Sequence, residues 1–268
     1  MGASNVSGGP RGEFAGGERA TLYVIAGSHA CRTAMLMLER KGIAYRTVEL
    51  PTGLHPWLVR ALGFAGHRKP IRTVEGRTHP TLALLDRGGT VPALRIDGQR
   101  VQTNREIARF LERSHPTPAL FPAEPARLDA VLEAERWGDE VLQMAARRLV
   151  LAASSRGLDG LLHEGGAGPL GALLASNRTA RVMASRSAGV VFRAGEDEVS
   201  QLAELRGMLD RIDAWIAAGV LDGAEPNVAD FTIAPSLALL SYRHDLRADI
   251  DARPAGRLLA RLVPEAGA

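Results

Sequence analysis

The sequence predicts an α/β unit followed by an all-helical unit, and three features of the chain support that order. Short apolar runs rich in β-branched residues alternate with helical patterns over residues 20–116. A proline-rich linker at 117–125 marks a boundary between the two units. Over residues 126–268 strand signals nearly stop, and apolar residues recur at helical spacing. We therefore expect a small sheet with helices packed on it and a separate helical core.

The first unit opens with a strand, a helix and a second strand. An apolar run from Leu22 to Ala26 has the pattern of a buried strand, and Ser28 is a suitable N-cap for a helix that follows. That helix should end at about Arg40, because Gly42 lies where a left-handed residue ends a helix. The run IAYRTVEL at 43–50 is the second strand. Strand, helix and strand within about 30 residues form a βαβ unit, which predicts a parallel pair with a right-handed crossover.

A short helix and a hairpin complete the first unit. Residues 54–64 predict the helix. The strand Val91–Ile96 turns at Asp97-Gly98, a dipeptide that strongly favours a two-residue hairpin turn, and a second strand returns antiparallel to it. A further helix begins at Thr103 or Asn104. The predicted order of elements is therefore β-α-β-α-β-β-α.

The second unit shows mostly helical patterns, with residues 166–185 ambiguous and a short strand-like run at 189–192. Asn227 followed by Asp230 has the spacing of a capping box, so we expect a helix to begin there and Pro235 to kink it. An earlier helical face at 128–149 is imperfect around Glu135. The clearest amphipathic pattern is formed by the apolar residues Leu202, Leu205, Leu209, Ile212 and Ile216. These patterns predict helices that each bury one face in a common core.

Composition and charge exclude several classes of protein. The formal net charge of +3 is too small, and the charges are too evenly spread, to predict a nucleic-acid partner. A single cysteine excludes a disulfide framework and favours a cytoplasmic location, and the histidines lack the spacing of metal ligands, so we expect no metal. No apolar stretch approaches the roughly 20 residues of a membrane-spanning helix, so we expect no membrane partner. Residues 1–19 have the composition of a disordered tail, and the Arg- and Ala-rich chain suggests a GC-rich bacterial genome.

Three blocks of the sequence, taken in order, resemble the glutathione S-transferase superfamily. They are TLYVIAGSHACRTAMLMLERKGIAYRTVEL, TVPALRIDGQRVQTNREIARFLE and PNVADFTIAPSL. The resemblance implies a thioredoxin-like N-terminal domain over 20–116 and an all-α helical C-terminal domain over 126–268. It also implies a homodimer that binds glutathione as co-substrate, together with an electrophile. The chain departs from the family at 65–89, where a longer stretch with several Arg and His residues predicts an irregular excursion beside the thiol site.

Ser28 is the catalytic candidate, because the resemblance places it where family members carry Ser or Cys at the start of the first helix. A thiol with a pKa of about 8.5 is mostly protonated at neutral pH, so a transferase must stabilise the thiolate. A hydrogen bond from a hydroxyl and the positive N-terminus of a helix both do so. The alternative is a serine that only caps the helix.

Cys31 lies three residues after Ser28, where a Cys-x-x-Cys enzyme has its second, resolving cysteine. Because Ser28 stands in place of the attacking thiol, the pair argues against a dithiol reductase and favours stabilisation of a bound thiol. The first helical turn is a position at which the pKa of a thiol can be lowered, so a redox role of Cys31 stays open. The alternative is a small side chain buried between helix and sheet.

Four residues around the hairpin are predicted to hold the cysteinyl and γ-glutamyl parts of glutathione. By the resemblance, Val91-Pro92 is a cis peptide bond that turns the backbone of Val91 toward the cysteinyl part of the ligand. A trans proline at the start of a strand is the alternative. Gln102 and Thr103 match the Glu/Gln-Ser/Thr pair that holds the γ-glutamyl end, whose carboxylate the Thr103 hydroxyl and the helix-start amides receive. Simple capping by Thr103 or Asn104 is the alternative there.

Trp137, Met144 and Tyr242 are candidates for the pocket of the second substrate, with packing in the core as the alternative. The leading hypothesis is a glutathione S-transferase-like enzyme that conjugates glutathione, or a related low-molecular-weight thiol, to an electrophile. Two other functions stay open. One is a noncatalytic binding or structural protein of the same fold, and the other is a thiol-disulfide reductase that works through Cys31.

Overall fold

The computed structural model shows four strands and nine α-helices within the residues that it describes. These are residues 20–25, 27–51, 54–65, 90–156 and 198–266. The strands are β1 (Ala20–Val24), β2 (Tyr45–Glu49), β3 (Ala93–Ile96) and β4 (Gln99–Gln102). The helices are α1 (His29–Arg40), α2 (His55–Ala61), α3 (Asn104–Ser114), α4 (Pro125–Trp137), α5 (Gln143–Arg156), α6 (Glu198–Ala217), α7 (Val228–Ser241), α8 (His244–Asp251) and α9 (Pro254–Leu262). Within these ranges, every helix is too short or too polar to span a bilayer.

The four strands form one mixed sheet in the order β2-β1-β3-β4. Strand β1 pairs parallel with β2, as the βαβ pattern predicts, and antiparallel with β3, which forms the hairpin with β4. The hairpin turns at Asp97 and Gly98, whose φ angles of 49° and 73° are the positive values that a type I′ turn requires. All residues of β1 are buried, so the central strand is covered on both faces.

Helix α1 connects the two halves of the molecule, because it packs on α3 in the first half and on α7 in the second. Lys41, just past its end, is buried and donates from Nζ to Glu112 Oε2 at 2.7 Å. The same carboxylate oxygen accepts a hydrogen bond from Leu120 N at 3.0 Å. Gly42 has a φ of 65°, the left-handed angle predicted for the residue that ends the helix.

Helix α7 is the centre of the helical half, since every residue in it is buried. It begins at the predicted capping box, in which Asn227 Oδ1 accepts from Ala229 N at 2.9 Å and Asp230 Oδ2 accepts from Asn227 N at 2.8 Å. The helix continues through Pro235 to Ser241. Helices α4, α5, α8 and α9 pack around it.

A π-helical turn, Gly138–Leu142, joins α4 to α5. Gly138 allows this turn to lie close to α7, because a Cβ there would lie 3.0 Å from Ile233 Cγ1 and 3.1 Å from Thr232 Cγ2. The imperfect helical face around Glu135 also has a structural explanation. Glu135 is buried and its carboxylate accepts two hydrogen bonds from Arg109 of α3, so an inward-facing position of α4 is charged.

The predicted fold class is confirmed: a thioredoxin-like α/β domain is followed by a helical domain. The first strand spans Ala20–Val24 rather than the predicted Leu22–Ala26. It ends at Val24 because the backbone then turns toward α1, and the carbonyl of Ile25 accepts a hydrogen bond from Ser28 N at 3.3 Å. The predicted tail at 1–19 lies outside the described residues, as does the predicted excursion at 65–89 apart from its first residue.

Candidate active site

Strand register brings the candidate thiol-binding residues to one end of the sheet. Ala93, at the start of β3, pairs with Tyr23 near the end of β1 and with Gln102 at the end of β4. Ser28 follows β1, and the Val91-Pro92 bond precedes β3. These segments therefore share one edge, at which the chain also enters helices α1 and α3.

Ser28 caps α1, as predicted. Its backbone is extended, and its Oγ accepts a hydrogen bond from Cys31 N at 3.3 Å. The residue is half-buried rather than enclosed. A hydroxyl can accept and donate at the same time, so capping leaves the Ser28 proton available to a ligand. Capping and ligand binding are therefore compatible at this residue.

Cys31 lies in the hydrophobic core, with 2 % of its surface exposed. Burial raises the pKa of the thiol to about 11, although its contacts with Ser28 and the backbone of Ile25 and the charge of Arg147 act in the opposite direction. The loss of solvent outweighs the effect of the helix N-terminus, and these observations favour the alternative in which Cys31 is a buried side chain between helix and sheet. A redox role of Cys31 stays a prediction, with no activated thiolate to support it.

The Val91-Pro92 peptide bond is cis, as the resemblance implies. Pro92 O accepts a hydrogen bond from Thr103 N at 3.3 Å, which ties the start of β3 to the start of α3. Gln102 Nε2 donates to Thr90 O at 2.5 Å. The oxygen of the same side-chain amide, Gln102 Oε1, is buried and accepts no hydrogen bond from the described residues.

Thr103 caps α3 and has an unusual backbone. Its Oγ1 accepts a hydrogen bond from Glu106 N at 3.3 Å. Its φ of 71° and ψ of 148° lie in a region that a β-branched residue rarely adopts. Such a conformation costs about 1–3 kcal/mol and is concentrated at ligand sites.

A cleft opens between the start of α1 and the helical domain. Its described lining from the first domain is Gly27, Ser28, His29 and Arg32, and from the helical domain Pro235, Ala238, Leu239, Tyr242, Val263, Glu265 and Ala266. Tyr242 therefore shares a cleft with Ser28, as a pocket residue should. The wall that the helical domain provides is mostly apolar, with the Tyr242 hydroxyl and the Glu265 carboxylate as its polar groups.

Trp137 and Met144 are not among the described residues that line this cleft. Met144 is 2 % exposed in the core. Trp137 packs edge-on against Trp215 of α6, with ring centroids 5.2 Å apart, and the guanidinium of Arg211 lies over both rings. These contacts favour the packing alternative for Trp137 and Met144.

Both titratable rings of the cleft are uncharged near neutral pH. Burial, and then the positive charge of Arg147, hold the pKa of His29 well below its usual value, while the backbone of Gln143 acts in the opposite direction. Burial, and then the negative charge of Glu265, raise the pKa of Tyr242, so its hydroxyl keeps its proton. The cleft therefore offers Tyr242 as a neutral donor.

Arg32 and Glu265 also line the cleft, although no sequence pattern singles them out. Arg32 Nε lies 2.8 Å from Glu265 Oε1. The position of Arg32, four residues after Ser28 on the same face of α1, is the signal that could have found it. Glu265 carries no local signal, because its partner lies at the other end of the sequence.

The fold and the site together define a class of protein: a thioredoxin-like domain joined to a helical domain, with a serine at the start of the first helix facing the cleft between them. Residues 27–114 match the family model described as the N-terminal domain of glutathione S-transferase. Over these residues the chain has a domain of the glutathione S-transferase N-terminal type.

Solved structures share the fold of the whole described chain. A glutathione S-transferase of Ceriporiopsis subvermispora in complex with glutathione is 15% identical, with a TM-score of 0.62 over 93% of this chain and 96% of that one. A GST-like protein from Pseudomonas syringae is 20% identical, with a TM-score of 0.53 over 92% of this chain and 67% of that one. A glutathione S-transferase from Methylobacterium radiotolerans in complex with glutathione sulfonate is 20% identical, with a TM-score of 0.50 over 93% of both chains. Comparison with curated proteins finds no match.

Proposed function

We propose that this protein is a glutathione S-transferase-type enzyme that conjugates glutathione, or a related low-molecular-weight thiol, to an electrophile. The observation that carries the proposal is the position of Ser28. This residue caps α1, is half-buried, and lines a cleft whose opposite wall is mostly apolar. A bound thiol and an apolar electrophile would therefore meet beside one hydroxyl.

Two groups of the chain would stabilise the thiolate. The Ser28 hydroxyl accepts from Cys31 N and donates its own proton to the sulfur anion as a charge-assisted hydrogen bond. The N–H groups in the first turn of α1 add positive partial charge. Lowering the pKa of a bound thiol by about two units corresponds to ~2.7 kcal/mol, and a thiol shifted by that amount is mostly ionised at neutral pH.

The hairpin region would hold the peptide part of the thiol. Gln102 Oε1, which is buried without a donor among the described residues, would accept from the γ-glutamyl amine. The Thr103 hydroxyl and the first-turn amides of α3 would receive the γ-glutamyl carboxylate. The strained backbone of Thr103 supports this role, since helix capping alone does not require a positive φ. The backbone of Val91 would face the cysteinyl part.

The two alternatives lack a comparable observation. A reductase would need an accessible, ionised Cys31, whereas Cys31 is buried and its pKa is raised to about 11. None of the described residues that line the cleft favours a noncatalytic protein of this fold over an enzyme. Glutathione is the first thiol to test, because two of the solved relatives are complexes with glutathione or glutathione sulfonate.

The test is a thermal-shift series at pH 8 with glutathione, other cellular thiols, and S-methylglutathione as a matched ligand without an ionisable thiol. A ligand at a hundred times its dissociation constant stabilises the native state by about 2.7 kcal/mol. We expect one thiol to stabilise the protein more than its S-methyl form does, and to be transferred to a generic aryl halide. No shift with any thiol would favour the noncatalytic protein, and disulfide reduction abolished by Cys31→Ser would favour the reductase.

A further inference from the structure

Arg32 is the only positively charged side chain among the described residues that line the cleft. It lies one helical turn beyond Ser28, and 22% of its side chain is exposed. On the outer side, its Nη1 donates to Glu39 Oε1 at 2.8 Å, and the Tyr45 hydroxyl donates to the same oxygen at 3.0 Å. The guanidinium is therefore held in place from outside the cleft.

On the cleft side, Arg32 faces Glu265 in an imperfect ion pair. Glu265 lies in a short 3-10 turn, Pro264–Ala266, and its Oε1 is 2.8 Å from Arg32 Nε. Arg32 Nε is nevertheless buried without a hydrogen bond among the described residues, so the two groups attract by charge without aligned donor geometry. A buried donor without an acceptor is unfavourable, and a better-placed carboxylate would satisfy it.

The surroundings of this pair fit one chemical class of ligand. Pro235, Ala238 and Leu239 of α7 form an apolar wall, and Tyr242 beside them is a neutral hydroxyl donor. An acidic group on a ligand would gain charge-assisted hydrogen bonds from Arg32 in place of Glu265, while an apolar body of the ligand would lie against α7.

We propose that Arg32 selects an apolar electrophile that carries a carboxylate or another acidic group, in competition with Glu265. This specificity rests on the proposed transferase function, because the electrophile must reach a thiolate at Ser28. Arg32 binds the acidic group, Glu265 holds Arg32 when the cleft is empty, and the reacting carbon lies toward Ser28.

The test compares 4-chloro-3-nitrobenzoate with its neutral counterpart, 4-chloro-3-nitrobenzamide. In both reactions the thiolate sulfur forms a bond to ring carbon 4, and chloride leaves with the electron pair of the broken C–Cl bond. Each variant is compared with the unsubstituted protein on the same substrate, so the different intrinsic reactivities cancel. Arg40 and Glu225 supply matched controls, because they form a second ion pair between α1 and the helical domain and Arg40 has 23% of its side chain exposed.

We expect Arg32→Gln to raise the KM for the benzoate about tenfold, because the carboxylate loses one hydrogen-bonded charge partner. The KM for the benzamide should stay unchanged. Glu265→Gln should lower the KM for the benzoate by removing the competitor. Arg32→Lys, which keeps the charge, should retain part of the preference. Arg40→Gln and Glu225→Gln should change neither substrate's KM.

Three results would overturn the inference. Arg32→Gln could raise both KM values alike, which would indicate a structural role, or raise the KM for glutathione instead, which would assign Arg32 to the thiol. Equal binding of the benzoate to the unsubstituted protein and to Arg32→Gln in calorimetry without a thiol would also overturn it. The calorimetry keeps the two proposals separate. If the unsubstituted protein binds the benzoate but no thiol, and Arg32→Gln binds the benzoate more weakly, the transferase function is contradicted while the acid-binding role of Arg32 is supported.

Discussion

Ser28 both caps a helix and is proposed to hold a thiolate, and one substitution separates the two effects. Ser28→Ala removes a charge-assisted hydrogen bond of about 1.5–3 kcal/mol, so the pKa of the bound thiol should rise by roughly one to two units. Activity near pH 7 should fall about ten- to a hundredfold and recover partly at higher pH, where the thiol ionises without help. The measurement is the pH–rate profile with a generic aryl halide.

Glu124→Ala is the control for the lost cap. Glu124 caps α4 through hydrogen bonds from Ala126 N and Arg127 N, and it is not among the described residues of the cleft. The Glu124→Ala variant should lower the free energy of unfolding by about 1 kcal/mol and leave the pH–rate profile unchanged. An unchanged profile in Ser28→Ala would mean that Ser28 is only a cap. Tyr23 is a poor substitute donor, since the residue is 6% exposed and its ring packs against Phe64.

Cys31 should react slowly in the native protein. With a pKa of about 11, a minute fraction of its thiol is ionised at pH 7, and the side chain is buried. We expect negligible alkylation by iodoacetamide at pH 7 over the time in which the urea-unfolded chain is fully modified, and a native rate that increases with pH up to about 11. Since Cys31 is the only cysteine, mass spectrometry gives an unambiguous readout. Rapid native labelling at pH 7 would restore the redox hypothesis.

At the scale of the element, the capping box of α7 should contribute strongly to stability. Asp230 is fully buried, and its two carboxylate oxygens accept from Asn227 N and Asp222 N, each at 2.8 Å. Asp230→Ala leaves both donors without this acceptor, so we expect a loss of about 2–4 kcal/mol in the free energy of unfolding. Glu106→Ala, which removes an exposed acid from the first turn of α3, should cost only a few tenths of a kcal/mol. Similar losses in urea titrations of the two variants would contradict this prediction.

The π-helical turn carries an acid whose ionisation opposes folding. Burial raises the pKa of Asp139 to about 6, reinforced by the negative charges of Glu135 and Glu140 and opposed by Arg105 and Arg147. Because this pKa is higher in the native than in the unfolded state, the contribution of Asp139 is fully present below the unfolded value of 3.8 and is lost as pH rises through 6.

Asp139→Asn, which mimics the protonated form, should therefore raise the free energy of unfolding by about 1–2 kcal/mol at pH 7.5, an amount reduced from the full shift because the side chain is half-buried. At pH 4 the substitution should have little effect. Urea titrations at the two pH values measure the difference. A gain of the same size at both would show that Asp139 acts through packing rather than through its charge.

Elements with a local signal were predictable, and those set by distant partners were not. The Asp97-Gly98 turn and the Asn227 cap are decided within four residues, so their patterns predict them. The π-helical turn depends on contacts that are remote in sequence, because Gly138 lies against α7 and Glu135 pairs with Arg109 of α3. Nothing within the local pattern of α4 reports these partners.

The same distinction applies to the site. The segments that carry Ser28, Pro92 and Thr103 follow from motifs at strand ends, and strand register brings them to one edge of the sheet. The lining contributed by Arg32 and Glu265 could not be predicted, because their ion pair forms only when the helical domain packs on α1. The local pattern left two environments open for Cys31, and only the packed fold decides for the buried one that raises its pKa.

At the scale of the whole molecule, we predict a homodimer, as the resemblance to the family implies. Exposed apolar side chains that share one short helix often mark an association surface. Trp57 of α2 is 72% exposed in the single chain, and Leu54 at its N-cap is 59% exposed. Light scattering at micromolar concentration should give twice the 28.6 kDa of one chain.

Trp57→Glu should shift this protein toward the monomer, because a charge would enter the interface. Val199→Glu is the control, since Val199 of α6 is also apolar and is 83% exposed. This variant should have the same molecular mass in light scattering as the unsubstituted protein. A monomer in the unsubstituted protein at micromolar concentration would refute the predicted assembly. A dimer that tolerates Trp57→Glu would place the interface elsewhere.

The three tryptophans are divided between the two halves of the molecule in a way that gives each half its own optical signal. The indole of Trp57 faces solvent, whereas those of Trp137 and Trp215 pack edge-on beneath Arg211. A solvated indole emits at longer wavelength than a packed one. Fluorescence should therefore distinguish loss of the helical half, seen as a red shift of the packed pair, from association at α2, seen as a blue shift of Trp57.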